Sequence, residues 1–282
     1  MKKNIVFIPN ISVDDGSNLG TERSKPYHYS VKSWTKWAEQ FDDIEVIEWK
    51  DPIMDPKVFP IIYQREWVFD ILDHNEVNYD QVLIVDADTI VHPDCPNFFK
   101  ETNHEYSGVV ENGCYEWVTR SINGWGHFLN FPKEIYPKTW KYFNTGFIIA
   151  NAKHKEFFNK IKDFYTSNID ELNDIRNNKK YQNLSVTSTG QTLVNFLLNK
   201  HNIKRTILPE CYNFNTFFTK NLLHVPNIRN WFPDKLIFLQ GGWVYHFAAI
   251  PDELNRLPEG SRGQAYWMKR TYEHLYIKNE EN

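Results

Sequence analysis

Short apolar runs alternate along the chain with longer segments in which apolar side chains recur every three or four residues. Ile5-Val6-Phe7-Ile8 and Val82-Leu83-Ile84-Val85 are such runs, typical of strands buried on both faces of a sheet. The alternation predicts an α/β fold, a doubly wound and mostly parallel central sheet with helices on both faces, in a single domain. The predicted strands cover 5–8, 44–49, 82–85, 147–150 and 203–208, and the predicted helices cover 27–41, 64–75, 153–168, 191–199 and the C-terminal segment.

Three further segments have no clean period. Residues 111–143 are rich in aromatic side chains and predict a partly irregular insertion. Residues 169–188 are polar and rich in Asn, which predicts an exposed connection. Residues 236–248 predict a last strand pair around a Gly241-Gly242 turn.

Composition excludes several classes of protein. The chain has 282 residues, of which 41% are hydrophobic and 24% charged, so we expect a folded globular protein. Its net charge of −4 disfavours a dedicated electrostatic nucleic-acid binder. Three Cys residues far apart in sequence form no disulfide framework and no Cys-based zinc site. Because no apolar run suits a signal peptide or a membrane span, we expect a cytoplasmic protein.

The first candidate chemistry follows the strand at 82–85. Ligands of such sheets bind at the carboxyl ends of the strands, where Asp86 and Asp88 stand. Two carboxylates at the mouth of a buried strand are costly unless a cation meets them. A divalent metal ion that grips a diphosphate is one interpretation, and carboxylates that cap the next segment or pair with Lys are the other. His246, at another strand end, is a competent third ligand for Mn²⁺, or else a hydrogen-bonded core residue.

Six segments carry a resemblance to a known family: Tyr63-Gln64-Arg65, 80–88, 143–151, 190–195, 208–213 and Tyr245-His246-Phe247. They resemble, in the same order, segments of the GT-A glycosyltransferases, most closely the glycogenin and bacterial galactosyltransferase group (family 8). The resemblance implies a GT-A domain over 1–255 and a helical tail over 256–282 packed on it. The set also resembles the small glycosyltransferase-like proteins of phages and environmental viruses, which would place the protein in a host cytoplasm.

This resemblance implies a hexosyltransferase. The donor would be a nucleotide-diphosphate sugar, by family habit a UDP-sugar, and transfer to an acceptor hydroxyl would retain the anomeric configuration. A glycan, a protein, a lipid or a hydroxylated DNA base could supply that hydroxyl. The cofactor would be Mn²⁺ or Mg²⁺, which bridges the two phosphates and stabilises the leaving diphosphate.

The resemblance also implies roles for single residues. Asp86, Asp88 and His246 would hold the metal ion. The amide of Gln191 is a poor nucleophile, so its implied role is electrostatic support of an oxocarbenium-like state. The implied donor-binding residues are Ile8, Arg65, Asp86, Asn144 and Gly146, and the implied catalytic residues are Asp88, Asn144 and Gln191.

Two departures from the family pattern concern the donor. Gly190 stands where the group has an Asp that contacts the donor sugar. The C-terminal motif continues as Ala248-Ala249-Ile250, without the family's glycine and phosphate-binding lysine. Lys269 or Arg262 would have to replace that lysine.

Two other classes of protein compete with the transferase. The segment 20–26 echoes the glycine-rich phosphate loop of sugar-1-phosphate nucleotidyltransferases, which release pyrophosphate from a nucleoside triphosphate. A non-catalytic nucleotide-sugar-binding protein is the second, favoured by Gly190. If the protein is a transferase, aromatic residues of the 111–143 insertion such as Trp117 and Trp125 are candidates to stack on the acceptor, whether a sugar or a DNA base.

Overall fold

Strands and helices alternate along the chain much as the hydrophobic pattern predicts. A computed structural model describes residues 2–11, 26–177, 189–216, 236–248, 250 and 263–277. The strands are β1 (Lys3–Pro9), β2 (Ile44–Trp49), β3 (Tyr79–Val85), β4 (Thr89–Val91), β5 (Tyr106–Val110), β6 (Phe143–Asn151), β7 (Arg205–Leu208) and β8 (Val244–His246). The α-helices are α1 (Tyr27–Ala38), α2 (Ile61–Gln64), α3 (Val68–His74), α4 (Tyr115–Phe128), α5 (Lys155–Asn177), α6 (Thr189–Lys200) and α7 (Gly263–Tyr276). Short 3₁₀ segments are Arg65–Trp67, Phe98–Glu101, Lys133–Ile135, Thr139–Lys141, Ala152–His154, Glu210–Asn213 and Ile237–Gln240.

Six strands form the central sheet, in the order β2-β1-β3-β6-β5-β7. The pairs β1–β2, β1–β3 and β5–β7 are parallel, whereas β6 is antiparallel to both β3 and β5. The mostly parallel α/β sheet is therefore confirmed, with one reversed strand at its centre. That reversal places the beginning of β6 beside the carboxyl end of β3.

Both faces of the sheet are covered, as the wholly apolar strands require. Along β1, Ile5 and Phe7 face one core, while Val6 and Ile8 face the other, because successive side chains alternate across a strand. Helices α3, α4, α5 and α6 contribute to the first core, and α1 covers the second face with Trp34 and Trp37. The two layers make one domain around the sheet.

A second, two-stranded sheet lies beside the end of β3. Strand β4 pairs antiparallel with β8, so Thr89 lies opposite His246. The C-terminal helix α7 packs on α1 and β4. The hydroxyl of Tyr276 donates to the carbonyl oxygen of Val91 at 2.7 Å and to that of Ser33 at 3.2 Å. This helix is therefore tied to the strand that follows Asp88.

Some sequence predictions were wrong. Besides irregular stretches, the 111–143 segment contains the 14-residue helix α4, which the sequence analysis did not predict. Helix α5 continues to residue 177 through the predicted polar connection, whose remaining residues 178–188 lie outside the described part. The segment 236–248 is no strand pair, because β8 takes β4 as its partner and 237–240 is 3₁₀. Within the described residues, no helix is long and apolar enough to cross a membrane.

Candidate metal and donor site

The ends of two central strands bring the first site residues together. The register of β3 with β6 pairs Val85 with Phe147, so the residues after Val85 meet those before Phe147. The backbone N–H of Asp86 donates to the carbonyl oxygen of Gly146 at 3.0 Å. The guanidinium of Arg65 donates to Asp86 Oδ1 at 2.6 Å and to the carbonyl oxygen of Thr145 at 2.8 Å. The carboxylate of Asp86 thus has one arginine partner and lies at the mouth of the sheet.

The β4–β8 pair adds a histidine to the two aspartates. The N–H of Phe247 donates to the carbonyl oxygen of Asp88 at 2.9 Å, which fixes His246 next to that residue. His246 Nε2 lies 3.1 Å from Asp88 Oδ1 and 3.7 Å from Asp86 Oδ2. One ligand atom from each of the three side chains lies within 4.8 Å of the others. Carboxylate oxygens and an imidazole nitrogen suit Mn²⁺ or a similar divalent ion.

The imidazole of His246 is oriented as a metal ligand would be. Its Nδ1 lies 3.0 Å from Oδ1 of Asn213, and an N–H donated to that oxygen leaves the lone pair on Nε2. The ring is 2% exposed, and Nε2 makes no hydrogen bond of acceptable geometry within the described residues. A buried nitrogen lone pair between two carboxylates is unfavourable without a cation or a proton between them. The three side chains therefore fit a divalent ion.

Charge around the imidazole supports the same conclusion. Burial disfavours the protonated ring, but the carboxylates of Asp88 and Asp86 outweigh burial and raise the pKa of His246. Arg65 shows the same balance, because its burial is outweighed by Asp86 and its pKa is raised. The cluster thus attracts positive charge, whether a proton or a metal ion.

Gly146 leaves room for the cluster. A Cβ at this position would lie 2.8 Å from Asp86 Oδ2 and 2.9 Å from Asn144 Oδ1, and closer still to His246 Cε1. Such separations are below van der Waals contact, so a side chain here would displace the ligands. A glycine is required by close approach and not by an unusual backbone angle.

Beside the cluster of Asp86, Asp88 and His246 lies a group of amides around a carboxylate. Asn144 Oδ1 accepts the N–H of Gly146 at 2.8 Å, and Asn144 Nδ2 donates to Glu111 Oε2 at 2.5 Å. Gln191 Oε1 accepts the N–H of Thr145 at 3.2 Å, and its Nε2 lies 3.4 Å from the same oxygen of Glu111. The two predicted amides are therefore neighbours, joined by a residue that the sequence did not single out.

Comparisons with known proteins bear on the fold. No protein-family model matches, and no curated protein matches in sequence. A glycosyltransferase involved in the glycosylation of the major capsid of PBCV-1 matches in structure, with a TM-score of 0.50 and 10% identity, over 95% of this chain and 99% of that one. The chain has the GT-A glycosyltransferase fold. Mouse xyloside xylosyltransferase 1 has a TM-score of 0.47 at 12% identity (88% and 98% covered), and an active-site mutant of LgtC has 0.45 at 13% (97% and 96% covered).

Several predicted contacts of the GT-A site need correction. Trp125 is wholly buried in the core, so it cannot stack on an acceptor, whereas Trp117 is half-buried. The side chain of Ile8 is also wholly buried, which leaves only its main chain for a donor. Lys269 is exposed and pairs with Glu273, and nothing places it at the metal ligands. Arg262 and all but the last residue of the 20–26 loop lie outside the described part.

Three residues that contact the candidate site escaped the sequence analysis. Asn213 belongs to a matching segment but was given no role. Glu111 follows β5, a strand that the pattern did not predict because its apolar run is only two residues long. Gln264, in the C-terminal helix, donates to Asp88 Oδ2 at 2.8 Å and to the carbonyl oxygen of Phe247 at 3.1 Å, and no sequence signal links it to Asp88.

Proposed function

We propose that this protein is a metal-dependent glycosyltransferase that moves a hexosyl group from a nucleotide-diphosphate sugar to an acceptor hydroxyl. The observation that carries the proposal is the buried Nε2 of His246, which lies 3.1 Å from Asp88 Oδ1 and 3.7 Å from Asp86 Oδ2 and makes no hydrogen bond of acceptable geometry within the described residues. A core histidine without a ligand would be expected to use both ring nitrogens.

Asp86, Asp88 and His246 would hold Mn²⁺ or Mg²⁺. When bound, such an ion supplies Lewis-acid stabilisation of the charge that develops on a leaving diphosphate. Asn213 keeps the His246 tautomer that offers Nε2, and Gln264 orients the carboxylate of Asp88. Arg65 holds Asp86 in place and adds a positive charge at the donor side.

The donor sugar would lie against Asn144, Gly146 and Gln191. Both ends of the Gln191 amide are engaged, Oε1 by the N–H of Thr145 and Nε2 by Glu111. This arrangement suits a fixed dipole that supports a developing oxocarbenium-like charge better than a group that attacks carbon. UDP as the nucleotide, retention of configuration and membership of family 8 are part of the proposal and rest on the sequence resemblance.

The acceptor is a hydroxyl of a glycan, a protein, a lipid or a modified DNA base, with Trp117 as the candidate stacking residue. The exposed ring of Tyr115, at the start of the same helix, adds aromatic surface near Glu111. The pyrophosphate-releasing nucleotidyltransferase and the non-catalytic binder are the functions against which the proposal is tested.

A thermal-shift panel of nucleoside diphosphates, nucleotide sugars and nucleoside triphosphates, each with Mn²⁺ and with a chelator, tests the proposal. A ligand at about 100 times its dissociation constant adds about 2.7 kcal/mol to the free energy of unfolding. We expect a shift with nucleotide sugars that disappears with chelator and in Asp88→Ala. Asp94→Ala is the matched control, because Asp94 is an exposed aspartate six residues away and should leave the shift intact.

The other outcomes separate the alternatives. A shift with triphosphates and not with nucleotide sugars would favour the nucleotidyltransferase. A nucleotide-sugar shift without transfer or hydrolysis under any condition would favour the non-catalytic binder. No shift with any nucleotide would refute the donor site.

A further inference from the structure

Glu111 is the centre of a hydrogen-bond group that joins four segments of the chain. Its Oε1 accepts the backbone N–H of Gly113 at 2.7 Å and Nδ2 of Asn215 at 3.0 Å. Its Oε2 accepts a hydrogen bond from Nδ2 of Asn144 at 2.5 Å and a longer one from Nε2 of Gln191 at 3.4 Å. The carboxylate therefore connects the end of β5, the beginning of β6, the first turn of α6 and the segment after residue 213.

A carboxylate is the group that this position requires. All four neighbours present N–H donors, and a carboxylate is the only side-chain group that offers acceptor lone pairs on both of its terminal atoms. An amide at position 111 would turn one NH₂ toward other N–H groups. Each such contact would place two donors against each other and leave buried polar groups unpaired.

The contact decides which way two side-chain amides point. The oxygens of Asn144 and Gln191 face the backbone N–H groups of Gly146 and Thr145, and their nitrogens face Glu111. An amide can rotate by 180° at little steric cost because its oxygen and nitrogen are nearly equal in size. The backbone contact fixes the Gln191 amide only weakly, since that bond is 3.2 Å long, whereas Asn144 Oδ1 accepts the N–H of Gly146 at 2.8 Å.

We propose that Glu111 is a positioning residue that fixes the orientation of the Asn144 and Gln191 amides at the donor-sugar side of the site. The role rests on the proposed transferase function, because those two amides are its sugar-side residues. Glu111 acts through them, and it is not one of the three metal ligands.

The orienting contact is tested first without any substrate, by NMR of the side-chain NH₂ groups in the folded apo protein. In Glu111→Gln, the side-chain NH₂ signals of Asn144 and Gln191 should shift and exchange with solvent at least about tenfold faster, because their carboxylate acceptor is lost. The side-chain NH₂ signals of an Asn outside this group, such as Asn168, which donates to the carbonyl oxygen of Phe164, should stay within the range of the control. Glu116→Gln is that control, an equally conservative change at an exposed glutamate in the following helix. Unchanged amide signals in Glu111→Gln would overturn the proposal.

The consequence for transfer is tested by a double-mutant cycle in single-turnover assays. Glu111→Gln should lower kcat by about 100-fold, the usual cost of misplaced reacting groups, and leave the Kd of the nucleoside diphosphate within about threefold. In the Asn144→Ala/Gln191→Ala background, the same change should cost less than about threefold. Glu111→Asp keeps the carboxylate and should recover part of kcat. Equal costs in both backgrounds, or a parallel loss of nucleotide binding, would overturn the positioning role.

Failure of the transferase is distinguishable from failure of the positioning role. If the amide signals move in Glu111→Gln while no nucleotide sugar binds to the wild type, the proposed function fails and the orienting contact stands. If nucleotide sugars bind and turn over but the amide signals do not respond to Glu111→Gln, the proposed function stands and the positioning role is refuted. Should Glu111→Gln unfold, Glu111→Asp carries both comparisons with smaller expected effects, because its carboxylate is one methylene shorter in reach of the two amides.

Discussion

Replacing Gly146 with Ala inserts one methyl group into the proposed metal site. The new Cβ would lie 2.8 Å from Asp86 Oδ2 and still closer to His246 Cε1. Carbon contacts in proteins are about 3.5–4.0 Å, so the imidazole or the carboxylate would have to retreat by more than about 0.7 Å. The imidazole has little room to do so, because it is 2% exposed and held by Asn213.

Such a displacement should weaken metal binding strongly but lower the free energy of unfolding only moderately. Metal–ligand distances tolerate changes of about 0.2 Å, so we expect the affinity of Gly146→Ala for Mn²⁺ to fall by at least about 100-fold. Overpacking by one methyl group costs about 1–3 kcal/mol of unfolding free energy, so the protein should remain folded. The variant therefore separates metal binding from stability.

Isothermal titration calorimetry with Mn²⁺ measures the metal affinity, and chemical denaturation measures the free energy of unfolding. Gly190→Ala is the matched control, because a Cβ there meets Ile62 O at 3.7 Å and Tyr63 Cδ1 at 3.9 Å, ordinary contact distances. That control lies in a helix and should bind Mn²⁺ like the wild type, with up to about 1 kcal/mol more stability. Wild-type affinity for Mn²⁺ in Gly146→Ala would refute the placement of the ion at this cluster.

Four further predictions concern single side chains. Asn213→Ala should weaken Mn²⁺ binding by about 10–100-fold in the same titration, because the His246 tautomer is no longer fixed; unchanged affinity would exclude that role. Burial raises the pKa of Glu66 from its ordinary value of 4.5 to about 7, so stability falls as pH rises through that window. Thermal denaturation of Glu66→Gln should thus show stabilisation, on the order of 3 kcal/mol at most, at pH 8 and none at pH 4; the same change at both values would contradict it. Trp125→Ala should lower the free energy of unfolding by about 3–5 kcal/mol in chemical denaturation, and a small loss would contradict its core position. Trp117→Ala should raise the acceptor KM more than the donor KM, and equal effects on both would contradict its acceptor role.

The sequence predicted the sheet and its ligand edge well. Wholly apolar runs of four residues such as 82–85 are typical of strands buried on both faces, and the carboxyl end of that strand determines where Asp86 and Asp88 stand. The antiparallel direction of β6 was not predictable from its own composition, because a buried strand is apolar in either direction. Strands β4 and β8 were missed or mispaired because each has only three residues, too few to show a period.

The three members of the candidate metal cluster were predictable from the sequence, while the residues that contact and orient the side chains of the candidate site were not. Asp86, Asp88 and His246 matched a motif and were brought together as expected. Glu111 and Gln264 act through contacts between segments 33 to 176 residues apart, and no local pattern marks such partners. Trp125 shows the opposite error: aromatic content suggested an acceptor surface, but helical spacing with Val118 and Ile122 turns that ring into the core.

The central claim is that one divalent ion contacts both the three-residue cluster and the donor's diphosphate. Its most direct test is the Kd of a nucleoside diphosphate, taken from the thermal-shift panel, with Mn²⁺ and with a chelator, in the wild type and in Asp88→Asn. The account predicts that Mn²⁺ tightens binding by at least about tenfold in the wild type, a coupling of about 1.4 kcal/mol, and that this coupling disappears in Asp88→Asn. Equal affinities with and without the metal, or a coupling that survives Asp88→Asn, would contradict it.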